Sequence, residues 1–274
     1  MAFPEYSVLM SVYCKENPDW LSISIKAMLD QTVKPTEFVL VEDGPLTPEL
    51  DHVIERYDRE NPGLFKIVKL EKNGGLGPAL KVGIENCSCE YVARMDSDDY
   101  CVPMRIEKEL TAFIEDPQLG MVGTNVVEFI DTPEKCVAKV ILPETHQEIV
   151  AYSKKRNPFR HPCILYKKSA VLAAGNYRSF PMFEDYDIFV RLIRSGCKCY
   201  NIQEFLVYMR VSPDFYQRRG GMKYLRDIHR FKKEQYRVGY FSYPEYIGSF
   251  VPHALVCMMP NRLRALVYKR LLRK

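Results

Sequence analysis

The chain has 274 residues, enough to bury a real core, and a net charge of +4. Six cations (Arg262, Arg264, Lys269, Arg270, Arg273 and Lys274) follow the last acidic residue, Glu245, so the rest of the chain is slightly acidic. This excludes a fold-wide basic surface, and no nucleic-acid partner is expected.

Nine scattered cysteines, with C-x-C pairs at Cys87/Cys89 and Cys197/Cys199, fit neither a disulfide framework nor zinc spacing. They read as reduced, buried thiols of a cytosolic protein. The opening "MAFPEYSVLMSVYCKENPDW" has no basic n-region and no long apolar h-region, so no secretory signal is expected.

In chain order, "YSVLMSVY" (Tyr6 to Tyr13) reads as a buried strand. A helix follows from Asn17-Pro18, with Leu21, Ile25 and Met28 on its apolar face. "EFVLVED" is a second strand, closed by the turn signal Asp43-Gly44-Pro45, and Thr47-Pro48 opens another helix. "FKIVKLE" is a third strand, "NGGLGP" a loop, Pro78 to Asn86 a helix, and "YVARMD" a fourth strand. This alternation predicts an α/β sheet of parallel strands with helices on both faces. Asp43, Asn73 and Asp96 then fall at the carboxyl ends of strands, where such sheets bind ligands.

The middle mixes strands ("MVGTNVVEFI", "VAKVILP") with a capping box at Thr145–Glu148, and "EDYDIFVRLIRSG" reads as a helix ending at Gly196. In that helix Asp187 and Arg191 are spaced for an i,i+4 pair. The tail "FVPHALVCMMPNRLRALVYKRLLRK" is too short in uninterrupted apolar residues to span a bilayer, and Pro252, His253 and Pro260 break it. It reads either as an interfacial segment on an anionic leaflet or as a helix packed on the domain.

"RMDSDDY" carries the chemistry. If the strand stays extended through Ser97, Asp96 and Asp98 project to one side. Two carboxylates so close repel unless a cation lies between them, and Mg²⁺ or Mn²⁺ is the natural occupant. The alternative is an ordinary acidic turn. Few carboxylates on a metal imply that substrate phosphates complete its shell, hence a nucleotide diphosphate. G-x-G-x-x-G does not follow the first strand and a Walker A motif is absent, so dinucleotide and P-loop sites are unsupported.

Together "SVLMSVYCKEN", "LSISIKAMLDQT", "EFVLVEDG", "NGGLGPALKVGIENC", "YVARMDSDD", "NPFRHPCILYKK" and "FEDYDIFVRLIRSG" resemble family 2 glycosyltransferases, especially bacterial enzymes of capsule, exopolysaccharide and O-antigen synthesis. The resemblance implies a GT-A fold: a Rossmann-like mixed sheet flanked by helices, here with a helical, basic C-terminal extension. It divides the chain into a glycosyltransferase domain at 1–215 (a nucleotide-sugar half over about 1–100, an acceptor half over about 101–215) and an extension at 216–274.

The implied reaction is inverting transfer of a hexose or N-acetylhexosamine from a UDP-sugar to a lipid-linked glycan, with Mn²⁺ or Mg²⁺. The implied location is cytoplasmic, peripheral on the inner membrane face, with the C-terminal tail on anionic lipid. By the same resemblance Val12 and Tyr13 lie against uracil, Asp43 contacts uracil or ribose, and Asp96 and Asp98 serve ribose, diphosphate and metal. Asn73 joins the nucleotide-sugar set, and Asp185 matches the catalytic base.

Lys81, in Ala79-Leu80-Lys81, stands where many relatives carry Ala-Arg-Asn and is the candidate to meet the nucleotide. Glu184 adjoins the base, and His161 reads either as an acceptor-site or metal-proximal residue or as a loop residue. Arg218 and Arg219 in "QRRGG" read either as a basic loop closing on a diphosphate or as a helix start with solvated charges. Two rival readings are a sugar nucleotidyltransferase, which wants a Gly- and Arg-containing loop where this chain has "VYCKENPDW", and a non-catalytic membrane scaffold.

Overall fold

The computed structural model describes residues 3–212 and 220–260. Strand β1 (Tyr6–Val12) is buried at every position. It lies between parallel neighbours β2 (Glu37–Glu42) and β4 (Tyr91–Arg94), and β3 (Phe65–Lys69) extends the sheet beside β2. Burial on both faces demands two apolar layers, and the strand's period of two supplies them. Val8, Met10 and Val12 join a core with α1 (Pro18–Leu29) and α2 (Pro48–Glu60). Leu9 joins the opposite core with α3 (Leu76–Asn86) and α7 (Glu184–Arg194). Helix α3 starts two residues before the expected Pro78, because a proline in a first turn removes an N–H that has no intrahelical partner.

Beyond β4 the sheet is mixed. β8 (Leu165–Lys167) pairs antiparallel with β4 and with β6 (Leu119–Phe129), β9 (Lys198–Arg210) runs parallel to β6, and β7 (Cys136–Val140) pairs antiparallel with β6. β5 (Tyr100–Cys101) closes the order β3-β2-β1-β4-β8-β6-β9-β5. The five residues between β4 and β5 thus link strands four places apart. A flat sheet would separate them by roughly 19 Å, about the full stretch of that link. The link also turns at Ser97–Asp98, so the sheet must curl.

Helix α4 (Arg105–Glu115) lies under the bend, and α5 (His146–Ser153) opens on the expected Thr145–Glu148 capping box. After α6 (Lys168–Ala173) and α7, a hairpin of α8 (Gly221–Arg237) and α9 (Tyr243–Met258) packs on α7 through Phe180, Phe183, Tyr186, Val190, Ile228 and Phe231. β9 opens with "KCYNI" and runs on to Arg210, and its far end pairs with β5. Pro252 lies inside α9; it and Gly248, whose carbonyl would have met its missing N–H, both sit on the exposed face, where water can take that carbonyl.

Arg105 fixes the bend. Fully buried, it donates from Nε to Glu109 (3.0 Å) and from Nη2 to the carbonyls of Arg94 (3.0 Å) and Ile164 (3.2 Å), tying the end of β4 to the segment before β8. Burial raises the Glu109 carboxyl against the pull of Arg105. Arg105→Met should therefore cost about 3–5 kcal/mol in urea denaturation, because Glu109 is left without its cation. The loss should be smaller at pH 5 than at pH 8, since a protonated Glu109 needs none.

Candidate active site

The carboxyl ends of β1, β2 and β4 converge on one edge. Val12 ends β1 and is buried, and Tyr13 beyond it is exposed. Asp43 follows β2, and its backbone N–H donates to the Val12 carbonyl (2.8 Å). Its carboxylate accepts from the backbone N–H of Gly74 (2.7 Å) and of Gly75 (3.0 Å), while Asn73 Nδ2 donates to its carbonyl (3.1 Å).

Gly44 permits this closure. Its φ is +84°, and a Cβ there would stand 2.5 Å from the Asn73 nitrogen. Asp43 thus folds the Asn73–Gly75 loop over the strand ends, and each carboxylate oxygen keeps a lone pair for a ligand. Lys81 is exposed on α3 beyond that loop.

The strand does not stay extended to Ser97. β4 stops at Arg94, and Ser97–Asp98 form a turn. The turn, not strand alternation, brings Asp96 and Asp98 together: burial pushes the Asp98 carboxyl up to about 7, with the charges of Asp96 and Glu16 adding to it. Asp99 is also raised well above the usual carboxylate range, again by burial first and then by Asp98 and Asp96.

Arg94, wholly buried, donates to Asp96 Oδ1 through Nη2, while its Nε and Nη1 have no partner. Ser97 Oγ donates to Glu16 Oε2 (2.6 Å), joining this turn to the loop after β1. The Arg210 backbone N–H donates to Asp99 Oδ1 (2.6 Å), and its Nε donates to the Asp98 carbonyl (2.9 Å). That guanidinium lies 4.2 Å over the Trp20 ring and 4.6 Å over Phe129.

Four carboxylates (Glu16, Asp96, Asp98, Asp99) therefore meet two guanidiniums (Arg94, Arg210). Among the described residues no ion pair reaches the Asp98 carboxylate: the Arg210 guanidinium, whose charge it feels, donates instead to the backbone carbonyls of Asp98 and Asp131. The hard oxygen donors and the excess negative charge fit Mg²⁺ or Mn²⁺. No group of three or more His, Cys, Asp or Glu able to hold a metal occurs among the described residues. An ion here would take Asp96 and Asp98 and complete its shell from water and phosphate oxygens.

Asp185 lies in the first turn of α7, and Asn157 Nδ2 donates to its Oδ2 (2.7 Å). Its Oδ1 accepts from the Tyr186 backbone N–H (2.7 Å). Burial pushes the neighbouring Glu184 carboxyl up to about 7, with Asp185 adding to it. Asp187 points away and is fully buried between Arg178 (2.8 Å) and Arg191 (2.9 Å), as its helical spacing predicts.

His161 sits in a short 3-10 turn beneath the site, buried, with Nε2 3.0 Å from the Tyr177 hydroxyl. Burial, then the charge of Arg94, holds its imidazole well below the usual histidine range. Tyr177, raised chiefly by burial, also feels Arg94, Asp185 and Asp96, so this buried layer bridges the acidic turn and Asp185. α3 closes the remaining gap, because a Cβ on Gly77 would meet the Arg178 carbonyl at 2.4 Å and Glu184 Cγ at 3.2 Å.

Arg218 and Arg219 lie outside the described residues. Glu16, Arg94, Asp99, Asn157 and Arg210 are additional to the sequence reading. An arginine in the buried run "YVARMD" was the one clear signal among them, because a buried cation needs a carboxylate.

The family model "Glycosyl transferase family 2" matches residues 7–172. A Haemophilus influenzae protein described as an uncharacterized glycosyltransferase is 36% identical over 98% of this chain and 100% of its own length. An Escherichia coli UDP-Gal:alpha-D-GlcNAc-diphosphoundecaprenol beta-1,3-galactosyltransferase is 34% identical over 99% of this chain and 98% of its own. Among solved structures, the Pyrobaculum calidifontis mannosyltransferase PcManGT, in complex with GDP-Man and Mn²⁺, superposes with a TM-score of 0.65 at 14% identity, covering 96% of this chain and 72% of that one. That likeness establishes the GT-A fold. The family match covers more than half of the chain and whole-length relatives share about a third of its residues, so the chain belongs to glycosyl transferase family 2.

Proposed function

We propose that this glycosyltransferase moves a hexose or N-acetylhexosamine from a UDP-sugar to a lipid-linked glycan, with inversion and with Mn²⁺ or Mg²⁺. The carrying observation is the excess of carboxylates around Asp98 at the ends of the parallel strands. The E. coli relative's name, with its UDP-Gal donor and diphosphoundecaprenol acceptor, supports the choice of donor and acceptor class.

In this reading Val12 and Tyr13 flank the base, and Asp43 with Asn73 shapes its far wall. Lys81 meets the nucleotide from α3. Asp96, oriented by Arg94, and Asp98 hold the ion, which when bound neutralises charge on the departing UDP. Asp185, oriented by Asn157, takes the proton of the acceptor hydroxyl through a carboxylate oxygen.

Glu184 lies at the acceptor side and His161 supports the floor. The division near residue 215 separates this machinery from the C-terminal extension. The enzyme works at the inner face of the cell membrane, with the basic chain end on anionic lipid.

A thermal-shift panel of UDP-galactose, UDP-N-acetylglucosamine, UDP-glucose and GDP-mannose, each with Mn²⁺ or EDTA, tests this. UDP-sugars with Mn²⁺ at about 100-fold over Kd should raise Tm by roughly 5 °C. Shifts unaffected by EDTA would remove the metal, and a shift with GDP-mannose alone would remove UDP.

A further inference from the structure

The solvent face of α9 is the wrong way round for a surface helix. Its exposed residues are Tyr243, Pro244, Ile247, Gly248, Val251, Pro252, Leu255 and Met258, and none carries a charge. Tyr243 is 61% exposed, Leu255 59% and Met258 71%. The large ones recur every three or four residues, so they form one continuous stripe.

The opposite face of α9 is already satisfied. Lys232 Nζ donates to the Ser249 carbonyl (2.6 Å), and Tyr236 stacks on Tyr246. Glu245, the single carboxylate of α9, pairs with Lys154. The outer stripe is thus not the helix's own docking face. Apolar surface of this extent, unrelieved by any polar side chain but the Tyr243 hydroxyl, marks an interaction site.

α8 says what kind. Lys223, Arg226, Arg230, Lys233 and Arg237 are all exposed, at spacings of three and four that align them on one face. Its two acids are half-buried, and Glu234 is drawn into an ion pair with Arg178. The sequence that follows the hairpin, residues 261–274, adds six cations and no carboxylate.

From these we infer that the α8–α9 hairpin is a seat for an anionic lipid bilayer. The α9 stripe enters the headgroup–acyl boundary and the α8 cations face lipid phosphates. Charge decides between occupants. A second copy would bring five like charges against five, and the chain's own end would bring six more cations to the same hairpin. An anionic surface with an apolar interior complements both features at once. No helix among the described residues is long and apolar enough to cross a membrane, and the 16 residues of α9 suit lying in the interface. The inference rests on the membrane location proposed above and names the element that meets the lipid; it holds whichever sugar is moved and whichever residue is the base.

The test is co-sedimentation of the full chain with phosphatidylcholine vesicles, with and without phosphatidylglycerol. Native protein should bind the anionic vesicles and be released by salt. Val251→Glu/Leu255→Glu should weaken binding by about 10-fold or more, because two apolar side chains would have to leave the bilayer. Its Tm and its UDP affinity should stay native. Lys223→Glu/Arg230→Glu should weaken anionic binding and flatten its salt dependence.

Unchanged vesicle binding by V251E/L255E would overturn the inference. So would equal binding to neutral vesicles, or a native dimer that this variant makes monomeric. A fall in Tm would overturn it too, since it would mean that protein already covers the stripe. Normal vesicle binding without sugar transfer would instead count against the proposed function alone.

Discussion

Asp185→Asn should lower kcat by about 10²- to 10⁴-fold while leaving UDP affinity within about two-fold. The substitution keeps the shape of the side chain. An amide oxygen can still accept from Asn157 Nδ2, which holds the present carboxylate at 2.7 Å, so orientation survives while the proton acceptor is lost. Single-turnover rates with calorimetric UDP binding separate the two quantities. Equal losses in both would make Asp185 a binding residue, and a native kcat would remove it as the base.

Glu184 provides an internal control. Burial pushes its carboxyl up to about 7, so it is charged only above neutrality. If Glu184 carries residual turnover in the variant, that turnover should rise with pH, and with a midpoint below the native one, because the Asp185 charge no longer adds to the effect of burial.

Asp98→Ala should abolish Mn²⁺-dependent strengthening of UDP binding, a loss of about 100-fold or more measured by titration with and without EDTA. The same variant should be slightly more stable than native without ligands, by about 1 kcal/mol in urea denaturation. It removes one of four carboxylates that share two guanidiniums. A gain in stability with a loss of function is the signature of a site held ready for a cation, whereas a structural acidic turn would lose stability. Unchanged Mn²⁺ titration would remove the metal assignment.

Much of the first hundred residues was legible because local rules act there without competition. "YSVLMSV" is wholly apolar save for its serines and becomes a strand buried on both faces. Asp43-Gly44 reads as a turn and is one, at φ +84°. Asp96 and Asp98 were legible as a pair, but the means of their meeting was not. Whether Ser97 continues a strand depends on β5 pairing with β9, whose Tyr100 and Tyr208 lie far apart in sequence.

Arg210 and Asn157 were invisible for the same reason, since each reaches the site only through a contact across more than 25 residues. Pro252 interrupts the apolar run, as the sequence shows, without ending the helix, because Gly248 and Pro252 share an outward face that tolerates the missing hydrogen bond. The bare stripe of α9 had a sequence signal, apolar residues every fourth position, but so has any helix packed on a core.

The curl has a last consequence, for exchanging segments between relatives. Asp99 grips the Arg210 backbone, and Arg105 holds carbonyls of both Arg94 and Ile164. The middle of the sheet at β4 and its β9–β5 side are therefore latched to each other beside the acidic turn. Grafting one relative's opening hundred residues onto another would split those latches between parents. Hybrids keep them only if the stretch from Arg94 to Arg105 travels with the segments around Ile164 and Arg210, so these stretches exchange as one mechanical piece.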